Sequence, residues 1–402
     1  MTAETAAIPA QVPAGSVPRT PRFIDVHILQ TLPFSNVNRD DLGSPKTVTF
    51  GGSTRTRVSS QAWKRPTRLA VEESIGARAQ RTRRLPLQVA HALGKRGWPA
   101  DLAELAGVQV IRSTDSKLDL EKGTSRDEEH TVQNTASLLF LPDTAVQALA
   151  DLAEKNREAL EKALGTKAAQ KPLLPKDAVH EVMRSRNGSI ALFGRMLAEI
   201  PGAEVDGAVQ VAHAFTTHST SVQADFFTAV DDVDQWATDA GSAHMNTGEY
   251  SSGVFYRYAT LDIRELAKNV SDTSTERELA ESFITAFIGS LPSAKKNSTA
   301  PNSVPDLVHI VVRGDRPVSL AAAFEQPVKA TSAGWAEPSR AALGTYAAKV
   351  GTLLGASGVL HSGHAGVDDA ARDGLGPRVE SFPALVAGAI AVAWSQNAGA
   401  RA

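Results

Sequence analysis

The sequence predicts an α+β chain whose core elements, once insertions are set aside, run β-α-β-β-α-β. Three observations carry this. Phe23 to Gln30 alternates, with Ile24, Val26 and Ile28 on one side and Asp25 and His27 on the other, the two-residue period of a half-buried strand. Val209, Val211, His213 and Phe215 alternate in the same way with Gln210, Ala212 and Ala214, and Val254 to Ala259 reads as another strand. An amphipathic helix over Glu276 to Leu291 then leads into Asp306 to Arg313, whose Leu307, Val308, Ile310, Val311 and Val312 make a buried strand. This order is the split β-α-β plan of ferredoxin-like and RNA-recognition (RRM) domains, whose sheet face commonly meets single-stranded RNA.

In chain order, residues 1–21 are rich in Ala, Thr and Pro, lack the apolar stretch of a signal peptide, and read as a disordered leader. The strand at Phe23 opens a first core segment, 22–76. A loop rich in Pro, Asn, Asp, Gly and Ser fills 31–54, and Ser59 or Ser60 then caps a helix running through Leu69 and Glu73. Pro66 falls inside that helix, where it removes a backbone hydrogen bond and is expected to kink it. From 77 to 186 the pattern is helical and punctuated by prolines, clearest from Asp143 to Leu164, with a polar connector over 113–135. A second core strand is expected over Ser189 to Met196, within the segment 187–216. Residues 217–251 are polar and weakly patterned, too long for an idle loop, and are expected to form a protruding hairpin. The last segment, 252–402, closes with helices near 337–354 and 379–396.

Charge is the second signal. The 402 residues carry 42 Lys and Arg against 44 Asp and Glu, a net of −2, yet residues 39–97 hold thirteen basic and only four acidic side chains. That stretch stands at +9 and the remainder at −11. Such asymmetry suits a protein that follows a phosphate backbone on one face. Within it, the Gly51-Gly52 turn, the strand-like Arg55 to Val58, the Ser59-Ser60 cap and the first helical turn with Lys64 and Arg65 bring backbone N–H groups and cations to one patch, a setting for oxyanions.

Other chemistries find little support. The chain has no cysteine, so disulfides and Cys-bearing zinc or iron–sulfur sites are excluded, in keeping with a reducing cytoplasm. The longest apolar run, Phe382 to Trp394, is interrupted by Pro383 and too short for a bilayer. No Walker-type loop, G-x-G-x-x-G or G-x-S-x-G occurs, which leaves nucleotide hydrolysis and serine hydrolase chemistry without a foothold. His213, His218, Asp231, Asp232 and His244 are ligand types for zinc or manganese but have no recognised ligand spacing, so no metal or other cofactor is assigned and a structural or hinge-supporting role is expected. His361 and His364 with Asp368 and Asp369 read as a polar loop. Phe226 and Phe227 would by default be core packing, but their place inside a polar segment favours an exposed wedge.

The ordered motifs Asn38-Arg39-Asp40-Asp41, Phe50-Gly51-Gly52, Arg57 to Gln61, Gly194-Arg195-Met196, Ala212-His213-Ala214, Thr216-Thr217-His218, Asp225 to Asp232, Gly241 to His244 and Ser251 to Ala259 resemble the backbone subunit of type I-E CRISPR Cascade, the CasC family. The resemblance is dense over 22–68 and 188–260, recurs at 317–330, and is general elsewhere. It implies a modified RRM/ferredoxin-like palm with a helical fingers insertion (77–186) and a thumb β-hairpin (217–251). It also implies several copies polymerised along one CRISPR RNA, each thumb displacing one base from the stack. The implied partners are the CRISPR RNA, target DNA paired to it, further copies of the chain, and the large, small, guide-capping and RNA-processing Cascade subunits; no membrane is implied. By the same resemblance Arg39, Lys46, Ser59, Gln61, Lys64, Arg65 and Arg68 hold the guide backbone, and Met196, Phe226, Phe227 and Thr228 surround the kinked nucleotide. Cations and cap amides suit phosphates, and an apolar wedge suits unstacked bases. The expected role is a non-catalytic scaffold. The rival is an RNA endonuclease on a ferredoxin-like fold that processes repeat RNA with a histidine base.

Overall fold

A computed structural model describes residues 20–121, 133–229 and 244–395. The N-terminal half contains β1 (Phe23–Ser35), β2 (Thr47–Phe50), β3 (Ser53–Val58), α1 (Ser60–Ser74), β4 (Ala79–Thr82), α2 (Leu85–Lys95), α3 (Ala100–Arg112) and β5 (Leu139–Pro142). There follow α4 (Thr144–Lys155), α5 (Arg157–Ala163), α6 (Lys176–Arg184), α7 (Gly188–Phe193), β6 (Val209–Val211), β7 (Ala214–Thr216), β8 (Gln223–Ala229) and β9 (His244–Asp262). The chain ends with α8 (Ile263–Asn269), α9 (Thr273–Gly289), α10 (Lys296–Thr299), β10 (Leu307–Arg313), α11 (Ala336–Leu354), β11 (Val359–Gly366) and α12 (Phe382–Ser395).

The main sheet has the order β11-β10-β1-β9-β7-β3-β2, with β6 and β8 also on β9. Its centre is the expected palm. β1 lies between β9 and β10, β9 carries β6 and β7 on its far side, and these pairs are antiparallel, the strand arrangement of an RRM-type domain. Ile24, Val26 and Ile28 of β1 meet Phe283, Ile284 and Phe287 of α9 and Leu385 and Ile390 of α12 in the largest core, which α1 joins through Val71.

Three expected elements differ. Ser189 to Met196 is not a strand: Asn187 caps α7 by accepting from Ile190 N, and Gly194, at φ +77°, ends it. A short, wholly apolar run such as Ile190 to Phe193 has no period that separates helix from strand, so only the cap and the glycine decide. The strand expected at 209–215 is divided, because Ala212 N still bonds Tyr258 O while His213 leaves the ladder. The polar loop expected around His361 and His364 is β11, with His364 paired to His309 across the strands.

The second face of the sheet, the one that commonly meets single-stranded RNA in such domains, is covered here. Asp25, His27 and Leu29 occupy the second face of β1, with His27 opposite Tyr258 on one side and His309 on the other. A second layer covers them, in which Val318, Leu320, Phe324 and Leu343 pack on Leu29, Tyr256 and Leu307. His27 and His309 are buried, and the Asp25 carboxylate takes hydrogen bonds from the Tyr258 hydroxyl, Arg313 Nε and Val318 N at 3.0 Å each. Burial pushes Asp25 up to about 6, its hydrogen bonds and Arg313 opposing. The aromatic side chains on this face belong to the core.

The helical insertion has a core of its own, from Leu85, Val89 and Leu93 of α2 through Val110 of α3 and Leu149 of α4 to Met183 of α6, and it also takes Leu197, Ile200 and Ala203. Asp143 to Leu164 is two helices, α4 and α5, parted at Asn156. A two-stranded sheet, β4 with β5, stands at the junction of this lobe with α1 and α7.

Candidate nucleic-acid interface

The cationic loop is built first. β2 and β3 join through Gly51 and Gly52, at φ +57° and +72°, the two left-handed positions that a two-residue hairpin needs. A side chain at Gly51 would in addition strike Glu325 O. Arg55 of β3 is fully buried, its guanidinium donating to Thr216 O, Phe324 O and Glu325 O, so one of the thirteen basic residues serves the fold. The loop before β2 folds onto β3, with Lys46 N bonded to Asn38 O and Arg57 N to Lys46 O. Asp40 turns that loop by accepting from Leu42 N and Ser44 N, leaving Arg39 exposed and Lys46 partly so.

α1 starts where the patch was expected. Ser59 is the N-cap, accepting from Ala62 N at 3.2 Å, and its own N–H donates to Asn38 Oδ1 at 2.7 Å. Ser60 N donates to His213 Nδ1 at 2.8 Å, the contact that the interruption between β6 and β7 makes possible. Burial, Arg57 and Lys46 all pull the His213 imidazole below its ordinary value, which keeps that nitrogen an acceptor. Trp63, Thr67 and Val71 turn inward, and Gln61 and Arg65 stand exposed on the outer side with Lys64 half-buried. The helix continues unbroken past Pro66, and Thr67 Oγ1 donates to Trp63 O near the missing backbone bond.

Arg68 differs from its neighbours. Its NH1 is 2.5 Å from Glu72 Oε1 and 2.9 Å from Ala79 O, and Glu72, buried, also accepts from Ser189 Oγ. The guanidinium closes the junction between α1, β4 and α7 before any ligand arrives.

The expected thumb is a hairpin of β8 against the start of β9, in register from Gln223 opposite Tyr250 to Thr228 opposite Met245. Residues 230–243, with Asp231 and Asp232, lie outside the described residues. Phe226 and Phe227 are 63% and 43% exposed, but adjacent strand residues face opposite ways. Phe226 shares its face with Thr228, Thr247 and Met245, and Met245 is 64% exposed. The continuous apolar surface is therefore Phe226 with Met245, a residue the sequence reading missed because its partner lies across the hairpin. At its root the hairpin is fixed to the cationic loop. Tyr250 stacks on Phe34 at 4.4 Å, Asn36 Nδ2 donates to Glu249 O at 2.8 Å, and Ser44 Oγ donates to the Glu249 carboxylate.

Met196 is 92% exposed. Its neighbour Arg195 turns inward and donates to Ala203 O, Ser185 O and Arg184 O, so that the loop is held with Met196 outward. The structure thus joins Arg39, Lys46 and Ser59 to the hairpin root through Asn36, Asn38 and Ser44, and sets Gln61, Lys64, Arg65 and Arg68 along α1. The remaining histidines separate: His218 stacks under Trp335 at 4.1 Å and accepts from Val254 N, and no cluster of three potential metal ligands occurs among the described residues. No helix among them is long and apolar enough to cross a membrane.

A family model described as CT1975-like protein matches residues 24–387. The chain belongs to that family. Solved relatives agree with the fold. A chain of a "CRISPR RNA-guided surveillance complex, pre-nicking" is 45% identical, with 92% of this chain and 100% of that chain covered and a TM-score of 0.86. A chain of a "CRISPR RNA-guided surveillance complex" is 40% identical, with 92% and 99% covered and a TM-score of 0.77. No curated protein matches. The CT1975-like chain is thus similar over nearly its whole length to subunits of RNA-guided complexes.

Proposed function

We propose that this chain is the backbone subunit of a type I-E Cascade complex: a non-catalytic protein that binds the CRISPR RNA, oligomerises along it and presents it for pairing with target DNA. The observation that carries the reading is the joining of two unlike surfaces. The loop with Arg39 and Lys46 is fixed by Asn36 and Ser44 to an exposed hairpin that carries Phe226 and Met245 on one face. Cations suit a sugar-phosphate backbone, and an apolar face suits unstacked bases, each typically worth about 1–3 kcal/mol when stacked on an aromatic. The similarity to subunits of two RNA-guided surveillance complexes supports the same reading.

Sequence specificity then resides in the guide. Guide affinity falls steeply with salt and barely changes with spacer sequence. A filter-binding titration of guides with unrelated spacers over a range of salt tests this, and a strong preference for one sequence at constant salt counts against it. Incubation with repeat RNA, with and without chelator, is expected to leave the RNA intact; clean cleavage by the purified protein favours the endonuclease instead.

A further inference from the structure

Arg81 stands between the basic side of α1 and the Met196 loop. β4 pairs with β5 so that Arg81 lies opposite Phe140, and its guanidinium carbon is 4.7 Å from the Phe140 ring centroid. The Arg68 guanidinium carbon is 5.5 Å from the same ring. One aromatic side chain therefore carries two guanidinium groups. Arg68 has Glu72 as its counter-charge, whereas Arg81 is exposed and makes no ion pair with a carboxylate among the described residues.

The cations influence one another. Burial first, and then the Arg81 charge, holds the Lys64 ammonium below its ordinary value; burial and then Arg68 do the same to Arg81, with Glu72 opposing. Arg81 borders two clefts, one with Arg68 and Arg78 and one with Gly194, Arg195 and Met196. Glu73 and Asp143 line the first and Glu204 and Asp206 the second, yet none reaches ion-pair distance of Arg81. Like charges assembled on a partly desolvated surface are relieved by an anion that accepts from them, and a guanidinium over a ring still presents its edge N–H groups to phosphate oxygens.

We propose that Arg81 binds a backbone phosphate of the RNA, seated between α1 and the Met196 loop with Lys64 as the second cation. This rests on the RNA-backbone reading above. It places a phosphate contact next to the exposed methionine and outside the loop-and-cap patch around Arg39 and Ser59.

The test is a salt titration of the full-length protein with labelled single-stranded RNA of mixed sequence, for wild type, Arg81→Gln, Arg81→Lys and Lys64→Ala. Glutamine keeps a planar group over Phe140, and thermal unfolding of each variant checks the fold. Arg81→Gln is expected to weaken binding for every sequence and to reduce the slope of log affinity against log salt by about 1 per bound copy, with Arg81→Lys restoring the slope. If Lys64→Ala lowers affinity and slope while Arg81→Gln changes neither, this inference fails and the RNA-backbone reading stands. If both are silent, this inference fails and Lys64 leaves the interface, whereas a wild type whose affinity is independent of salt overturns the RNA-backbone reading itself. Affinity lost at unchanged slope, or lost equally in Arg81→Lys, makes Arg81 a packing residue and overturns the proposal. So does loss of self-association without RNA at unchanged slope, which assigns Arg81 to an acidic surface of a second copy.

Discussion

The Arg257 guanidinium carbon lies 3.8 Å from the centroid of the Trp63 ring, inside the protein. Arg257 belongs to the central strand β9 and Trp63 to the first turn of α1, so this contact joins the palm to the helix that bears Lys64 and Arg65. Gln30 Oε1, at 2.6 Å, and Phe287 O accept from the guanidinium, and Phe287 lies on its other side at 4.7 Å. Burial brings its pKa down to about 9. The exposed cations of α1 depend on a buried one behind them.

Trp63→Ala should therefore act through stability. Removing a fully buried Trp costs about 3–5 kcal/mol and leaves the Arg257 charge without its ring. Chemical denaturation is expected to show that loss, while Gln61→Ala, at an exposed position, stays within about 0.5 kcal/mol of wild type.

The basic residues of α1 should divide into two kinds. Lys64→Ala and Arg65→Ala are expected to weaken guide binding and lower its salt slope, by about 1 for each phosphate that is no longer neutralised, with unfolding nearly unchanged. Arg68→Ala is expected to cost about 1–3 kcal/mol of stability, because Glu72 loses its counter-charge while buried. A paired comparison of melting and RNA titration separates them, and an Arg68→Ala protein of full stability with a lowered salt slope would return Arg68 to the ligand.

The hairpin makes a prediction that adjacency in sequence would miss. Phe226→Ala and Met245→Ala should both impair target pairing more than guide binding, and the double variant should lose less than the sum because the two share one face. Phe227→Ala, on the other face, should not match them. Strand-pairing assays on assembled complexes read the difference.

Acid should destabilise the protein. His27 and His309 are held neutral mainly by burial, His309 with its pKa lowered from 6.5 to about 4. As pH falls below 6.5, the unfolded chain takes up protons that these rings refuse, so stability drops towards pH 4. Asp25 works the other way: raised from 3.8 to about 6, it adds stability as pH falls through that window. The buried imidazoles outnumber the one raised carboxyl, and His213, His218 and His361 are lowered as well, so the net direction is a loss of stability on acidification. Denaturation midpoints between pH 7 and 4 measure it, and a midpoint that rises on acidification contradicts it.

Much of the palm was legible because its signals are local. The alternation of Phe23 to Gln30 and the apolar run around Ile310 each report one strand, whereas α9 starts at Thr273, before the expected Glu276, because Asp272 caps it by accepting from Thr275 N. β11 was hidden because Ser362 and Gly363 interrupt a strand whose burial comes from α12 and the 377–379 segment. The candidate site reads from sequence as a cationic region, and only the fold separates its residues. Composition counts Arg55, Arg68 and Lys64 alike, and only the fold gives Arg55 three carbonyls, Arg68 a carboxylate and Lys64 an open side. Phe226 and Phe227 looked like one wedge because a string has no faces.

The 19 residues of β9 run without a break from the hairpin to the strand beside β1. Gly248 and Gly253 lie between the apolar face around Met245 and the ladder that holds Arg257 and Tyr256, and the pairing with β1 shifts register between Leu32 and Ser35, yet the strand itself is continuous. One backbone thus links the hairpin directly to the centre of the sheet. The projection behaves as a cantilever, and its position is inherited from the register of the palm.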